Sequence, residues 1–385
     1  MRLLFVTQDF PPALGGIQTY AGELARRFAG WTDDFVVLAP DYPRARELDA
    51  LLPFDVHRVS SSSDWFPFHA ARHAARLARR RRLDTAFCAQ WFSALPVVLM
   101  HPFGTPKRLF VAVHGREILF EPNRAPGFVR AGYNGLRRRV FAEAERLFPV
   151  SGYTGDLLRE AGVDAGRITV VNNGTDPALF APLDPTALRD RLGLNGKVVL
   201  LTVCRLVARK GVDTTLRALP GVLHEVPDLI YLVVGDGPDL ARLEALAVSL
   251  GIESHVRFLA GVDYAAIVQY YNAADVVTMP CRGEPPEVEG FGIVFLEANA
   301  CEKPVIGTYS GGIPDAVRHG ETGLLVEPGD VEALTAGILR LLKDTDLARR
   351  LGRQGRERVV KESTWDAVAE RIFSQMTTPT RIDTH

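Results

Sequence analysis

The sequence predicts an α/β protein built from two Rossmann-like, doubly wound parallel-sheet domains with a cleft between them. Three observations support this. Short apolar runs alternate with longer amphipathic segments, the pattern of βαβ units. That pattern runs to about residue 180, breaks in a polar, proline-containing stretch and restarts at residue 198. The 385 residues exceed one typical domain and suffice for two with separate cores.

In the first half, strands are expected at 3–7, 35–39, 56–59, 85–89, 109–113 and 147–150, with helices at 17–28, 69–82 and 127–144 between them. A last apolar run, 168–171, ends in Asn172-Asn173-Gly174-Thr175-Asp176-Pro177, which is turn chemistry. Residues 1–180 are therefore read as the first domain and 181–197 as a linker. The second domain, 198–364, is expected to place strands at 198–203, 229–234, 256–259, 276–279, 305–307 and 323–326, with helices at 331–342 and 347–361. An amphipathic segment, 365–377, is expected to cross back onto the first domain, and the tail beyond it to fray.

Composition excludes several function classes. With 47% hydrophobic and 24% charged residues the chain reads as a globular enzyme, and a net charge of −1 gives no pull toward nucleic acid. Cys88, Cys204, Cys281 and Cys301 form no C-x-x-C pair, so reduced thiols are expected and no metal site is assigned. No apolar run approaches ~18 residues, and the apolar start is too short for a signal peptide. The expectation is a cytoplasmic monomer or homodimer, at most peripheral at the inner face of the membrane. Arg79–Arg82 and Arg137–Arg139 are either solvated helix faces or contacts to such an anionic surface.

Ligands of doubly wound sheets bind outside the carboxyl ends of the strands, so the loops there are the candidate site. After the first strand, Gly15-Gly16 opens a helix, either as a tight turn or to let amides approach a phosphate. It lacks the G-x-G-x-x-G spacing of a dinucleotide site. After the first strand of the second half, Arg205 and Lys210 flank a short loop. They suit a diphosphate leaving group, or else form a solvated basic loop. Glu289-Gly290-Phe291-Gly292-Ile293 reads as a helix start able to hold phosphate oxygens, and Glu297 lies two turns on in an apolar run. A carboxylate there needs partners such as ribose hydroxyls. His114 ends the strand at 109–113, placed to bond a sugar hydroxyl or move a proton, or to act structurally. Asp344 and Asp346 have the spacing of an acidic pair but fall between surface helices and are set aside.

Taken in order, these residues resemble the retaining glycosyltransferases of family 4, which have the GT-B fold. The resemblance covers nearly the whole chain and is strongest at Glu289 and Glu297, which match the family's E-x7-E pattern, preceded by Arg205 and Lys210. It implies a nucleotide-sugar donor and a hydroxyl acceptor that is a glycolipid, polysaccharide or small glycoside. It requires no cofactor or metal, because Arg205 and Lys210 supply the charge. By the same resemblance Glu297 holds the ribose. Glu289 and the backbone of Phe291, Gly292 and Ile293 contact the sugar and phosphates, and His114 touches the sugar. Gly15, Gly16 and Asn173 border the donor, and Arg257 and Phe258 line the base. Asp9 and Gln18 are expected near the acceptor. Phe10-Pro11-Pro12 through Gln18 is similar to mannosyltransferases acting on phosphatidylinositol-type lipids, which implies GDP-mannose, with UDP-glucose as the alternative donor. Glu284 and Glu287 depart from the pattern as extra acids before the motif. The competing readings are a nucleotide-sugar epimerase or hydrolase, and a non-catalytic nucleotide-binding module.

Overall fold

The computed structural model describes residues 1–13, 15–61, 65–104, 106–120, 127–285 and 287–378. They form two compact units, Met1–Asn173 with the helix Trp365–Thr377, and Gly174–Thr364.

In the first unit β1 (Arg2–Val6), β2 (Asp34–Pro40), β3 (Asp55–Val59), β4 (Thr85–Cys88), β5 (Arg108–Val113) and β6 (Arg146–Pro149) make one sheet, ordered β3-β2-β1-β4-β5-β6. In the second, β7 (Val198–Val203), β8 (Leu229–Val234), β9 (Val256–Leu259), β10 (Val276–Thr278), β11 (Val305–Thr308) and β12 (Gly323–Val326) are ordered β12-β11-β10-β7-β8-β9. Read from its other edge, this is the same topology repeated. Every pairing is parallel.

The inner strands are continuous apolar runs because helices cover both faces, so neither face wants polar side chains there, while the outer strands β3 and β9 carry His57, Arg58 and Arg257. In β1 Leu3, Leu4, Phe5 and Val6 are all fully buried, and every residue of β8 is buried. The strand order reverses between β1 and β4 and again between β7 and β10. At those points neighbouring loops diverge and leave a crevice at the carboxyl ends.

The helix Trp365–Thr377 belongs to the first unit. Its buried stripe of Trp365, Val368, Ala369, Ile372 and Met376 lies on the helix Gly16–Trp31, with Phe373 5.7 Å from Phe28 and 5.2 Å from Trp31. Arg27 Nε donates to Asp366 Oδ1 at 2.6 Å.

Residues 181–197, expected as a linker, are instead folded into the second unit. Leu188 and Leu194 are buried, Asn272 Oδ1 accepts from the Leu183 amide at 2.8 Å, and Arg189 Nη1 donates to Ala273 O at 2.7 Å. Polar composition hid these two apolar anchors, and Phe180, just before the stretch, is fully buried as well. Residues 168–171 run beside β6 with amides donating to Leu147 O and Pro149 O, but pair only through an isolated bridge.

Candidate active site

The second unit's crevice is walled by the loops after β7 and β10. The loop after β7 carries Arg205, Arg209 and Lys210 and ends at Gly211, whose φ is +68°. A Cβ there would sit 1.9 Å from Pro280 O, so only glycine lets the two loops touch. They are also tied by Arg282 N donating to Arg209 O at 2.8 Å and by the Arg282 guanidinium on buried Asp213. Glu289 stands at the end of the second loop, its carbonyl accepting from Gly312 N at 2.9 Å.

Glu289 and the loop cations meet there. Lys210 Nζ and Arg209 Nη1, the latter at 2.5 Å, both donate to Glu289 Oε2. Lys210 is only 9% exposed. Burial alone would raise the Glu289 carboxyl, but the adjacent Lys210 and Arg209 charges win and bring it to about 2. Burial would lower the Lys210 ammonium, and Glu289 outweighs it, leaving Lys210 raised. Arg205 is exposed, and its side chain has no hydrogen bond or ion pair among the described residues. Sequence reasoning paired Arg205 with Lys210 and passed over Arg209.

Just beyond Glu289 the helix Ile293–Ala300 begins, with Gly292 as its N-cap at φ +94°. The expected helix start at 290–292 is thus the turn leading into the helix. Phe291 is 2% exposed and anchors that turn from below. The N–H groups of Gly292, Ile293 and Val294 have no acceptor among the described residues, leaving a patch of partial positive charge beside the cluster.

Glu297 is 4% exposed and satisfied within the protein: Tyr264 OH donates to Oε1 at 3.0 Å and Tyr271 OH to Oε2 at 2.8 Å. Burial raises its pKa, the two tyrosine bonds opposing. The tyrosines lie 33 and 26 residues away in sequence, and nothing near the motif announces them. Arg257 and Phe258 are on the outer strand β9, separated from β7 by β8, and the Arg257 guanidinium donates to Leu192 O. They are not brought to the Lys210–Glu289 cluster. Asp344 caps the helix Thr345–Glu362 by accepting from Leu347 N at 2.9 Å, a structural use of the acidic pair.

At the first unit's crevice Asp9 is gripped from two sides. Gln18 Nε2 donates to Oδ1 at 2.7 Å and Gln90 Nε2 to Oδ2 at 2.8 Å. Burial raises the Asp9 pKa against the Gln90 bond and the nearby His114. His114, 9% exposed, donates through Nε2 to Ala89 O at 2.8 Å, its ring edge-on to Tyr20 at 5.0 Å. Gln90, on the loop after β4, was not anticipated; a polar residue directly after a buried strand beside the switch point was the available signal. Gly15 and Gly16 are exposed, with Gly15 capping the helix Gly16–Trp31. Asn173 is buried and its Oδ1 has no partner among the described residues.

Two repeated doubly wound sheets with this cluster define a GT-B glycosyltransferase. HepE of Anabaena, solved in complex with UDP, superposes with a TM-score of 0.82 at 21% identity, over 98% of this chain and all of that one. Residues 184–358 match Glycosyl transferases group 1, and residues 14–179 match Glycosyltransferase Family 4. A GDP-mannose-dependent alpha-(1-6)-phosphatidylinositol monomannoside mannosyltransferase of Mycolicibacterium smegmatis is 34% identical over 96% of this chain and 97% of its own. One from Corynebacterium glutamicum, named for the monoacylated monomannoside, is 33% identical over 96% of both. The chain belongs to the family 4 glycosyltransferases and is a nucleotide-sugar-dependent enzyme.

Proposed function

We propose that this enzyme transfers mannose from GDP-mannose, with retention, to a hydroxyl of a phosphatidylinositol-type glycolipid. The observation that carries the reading is the second unit's crevice, where loop cations meet Glu289 three residues before a run of helix amides that have no acceptor among the described residues. Arg205 and Lys210 take up the charge of the departing diphosphate, and the Gly292–Val294 amides hold its oxygens. Because these groups are cationic or dipolar, the reading calls for no metal or other cofactor. Glu289 and the Phe291–Ile293 backbone orient the sugar, and Glu297 turns from its tyrosines to the ribose. Arg257 and Phe258, on β9, line the base, away from the Lys210–Glu289 cluster. In the first unit, Asp9 and Gln18, with Gln90, bind acceptor hydroxyls, and His114, Gly15, Gly16 and Asn173 keep the donor-side roles that the family implies. The printed names of the relatives support mannose and a phosphatidylinositol acceptor.

No described helix is long and apolar enough to cross a membrane. A lipid acceptor is reached through the helix Phe66–Arg81, whose solvent face carries Phe68, Arg72, Arg76, Arg79 and Arg80, preceded by Trp65 at 62% exposure. We place the enzyme on the cytoplasmic leaflet, as a monomer or homodimer.

The test is nucleotide release in EDTA from GDP-mannose or UDP-glucose, with vesicles containing phosphatidylinositol monomannoside. Release from GDP-mannose only when the glycolipid is present, with an α-anomeric product by NMR, supports the reading. Acceptor-independent release indicates a hydrolase, and no release from either donor indicates a binding module. Failure of the protein to float with anionic vesicles at low salt removes the membrane part.

A further inference from the structure

We infer that Arg209 is a positioning residue: it keeps the Glu289 carboxylate neutralised so that Lys210 can leave that carboxylate for a diphosphate. The inference rests on the donor-site reading above and extends it to a residue that reading does not use.

Geometry makes the case. Lys210 and Arg209 converge on one oxygen, Glu289 Oε2, although a carboxylate offers two. The side chains of Lys210, Glu289 and Arg209 are 11%, 13% and 24% exposed, so little water can replace a lost partner. If Lys210 were the only cation, moving it to a phosphate would strand a buried anion, which is costly. Arg209 and Lys210 together carry one positive charge more than Glu289 needs, so Lys210 can move to a phosphate while Arg209 stays on the carboxylate. The two side chains are suited to these roles. A guanidinium is a rigid fork that holds a carboxylate in place, whereas an ammonium on a flexible stem can change partner. Arg209 is steadied from a second side by Glu287, 3.8 Å from its Nε, and its carbonyl accepts from Arg282 N. One of the acidic residues that interrupt the family pattern thereby gains a place, orienting Arg209 rather than touching substrate. The other titratable groups facing the cluster, the thiols of Cys204 and Cys281, are pushed up by burial to about 11 and about 12, so they stay neutral near pH 7.

The test reads protons rather than activity, using GDP as the probe and calorimetry in buffers of different ionisation enthalpy. In R209Q, Lys210 must abandon an uncompensated Glu289 when GDP binds, and that carboxylate recovers neutrality by taking up a proton. The expected result at pH 6 is additional uptake approaching about one proton relative to wild type, with GDP bound about tenfold more weakly. R209K, which keeps the charge, should match the wild-type proton count, and R209Q/E289Q should abolish the extra uptake. A merely structural role for Arg209 would weaken binding without moving the proton count. Should R209Q fail to fold, R209M, which keeps the buried stem of the side chain and removes only the charge, is read by the same proton count. Equal proton counts in wild type and in R209Q or R209M, or extra uptake in R209K, each overturns the inference while the donor site stands. A wild-type protein that binds neither GDP nor UDP overturns the donor site, and this inference with it.

Discussion

Replacing Glu289 by Gln should destabilise the second unit by about 3 kcal/mol at pH 7, and the loss should fade with acid. The magnitude follows from the cluster. A carboxyl held at about 2 rather than 4.5, at about 1.4 kcal/mol for each tenfold change, gains about 3 kcal/mol from its surroundings when ionised. At 13% side-chain exposure, solvent screening removes little of this. Glutamine fills the same space but leaves Lys210 and Arg209 facing each other without an anion, so the cost is not recovered. Because the folded pKa is depressed, the stabilisation is present above pH 4.5 and disappears as pH falls toward 2. Wild type and E289Q should therefore differ fully at pH 7 and converge as the carboxyl protonates. Tryptophan fluorescence is the wrong probe, because Trp31, Trp65, Trp91 and Trp365 all belong to the first unit. Hydrogen exchange of peptides spanning β7 and β10, measured against urea at several pH values, reads the right unit. A difference that persists undiminished near pH 3, or no difference at pH 7, would refute the electrostatic account of this cluster.

Four further outcomes are expected. Arg205→Ala should lower kcat more than it raises the donor KM, because the charge it meets grows as the diphosphate leaves; equal losses would make it a binding residue. Glu297→Ala should weaken GDP binding by about 1.5–3 kcal/mol, the range for a lost charged hydrogen bond, and unchanged affinity by calorimetry would leave Glu297 with a structural role only. Burial raises the Glu297 carboxyl above 4.5, so wild type should lose stability as pH rises from 4.5 through the folded value, whereas E297Q should lose none there. Gln90→Ala should raise the acceptor KM while leaving GDP affinity unchanged, and a change in GDP affinity instead would detach Gln90 from the acceptor.

How far the sequence could be read depended on the range of the interaction. The inner strands of both sheets were visible as apolar runs, since burial on both faces demands continuity that a single window reveals, whereas the outer strands β3 and β9 carry charged residues and are only partly buried. The repeated pattern gave two doubly wound units, and the loops after β7 and β10 stood out because topology places ligands there. Glu289 and Glu297 were legible for a related reason: acids flanking an apolar helix start are conspicuous where they stand. Polarity misled at 181–197, where two anchoring side chains, Leu188 and Leu194, outweighed the surrounding charges.

Partnership was decided only by the fold. Arg209 reaches Glu289 across 80 residues and Gln90 reaches Asp9 across 81. Tyr271 and Tyr264 close on Glu297 from the other side of their unit's chain path. The first two contacts exist because parallel strands bring distant loops to the same end of a sheet, and the tyrosine contacts because two helices of one unit pack together. Local sequence declares which residues prefer burial or a turn, and it carries no record of which charge will face which.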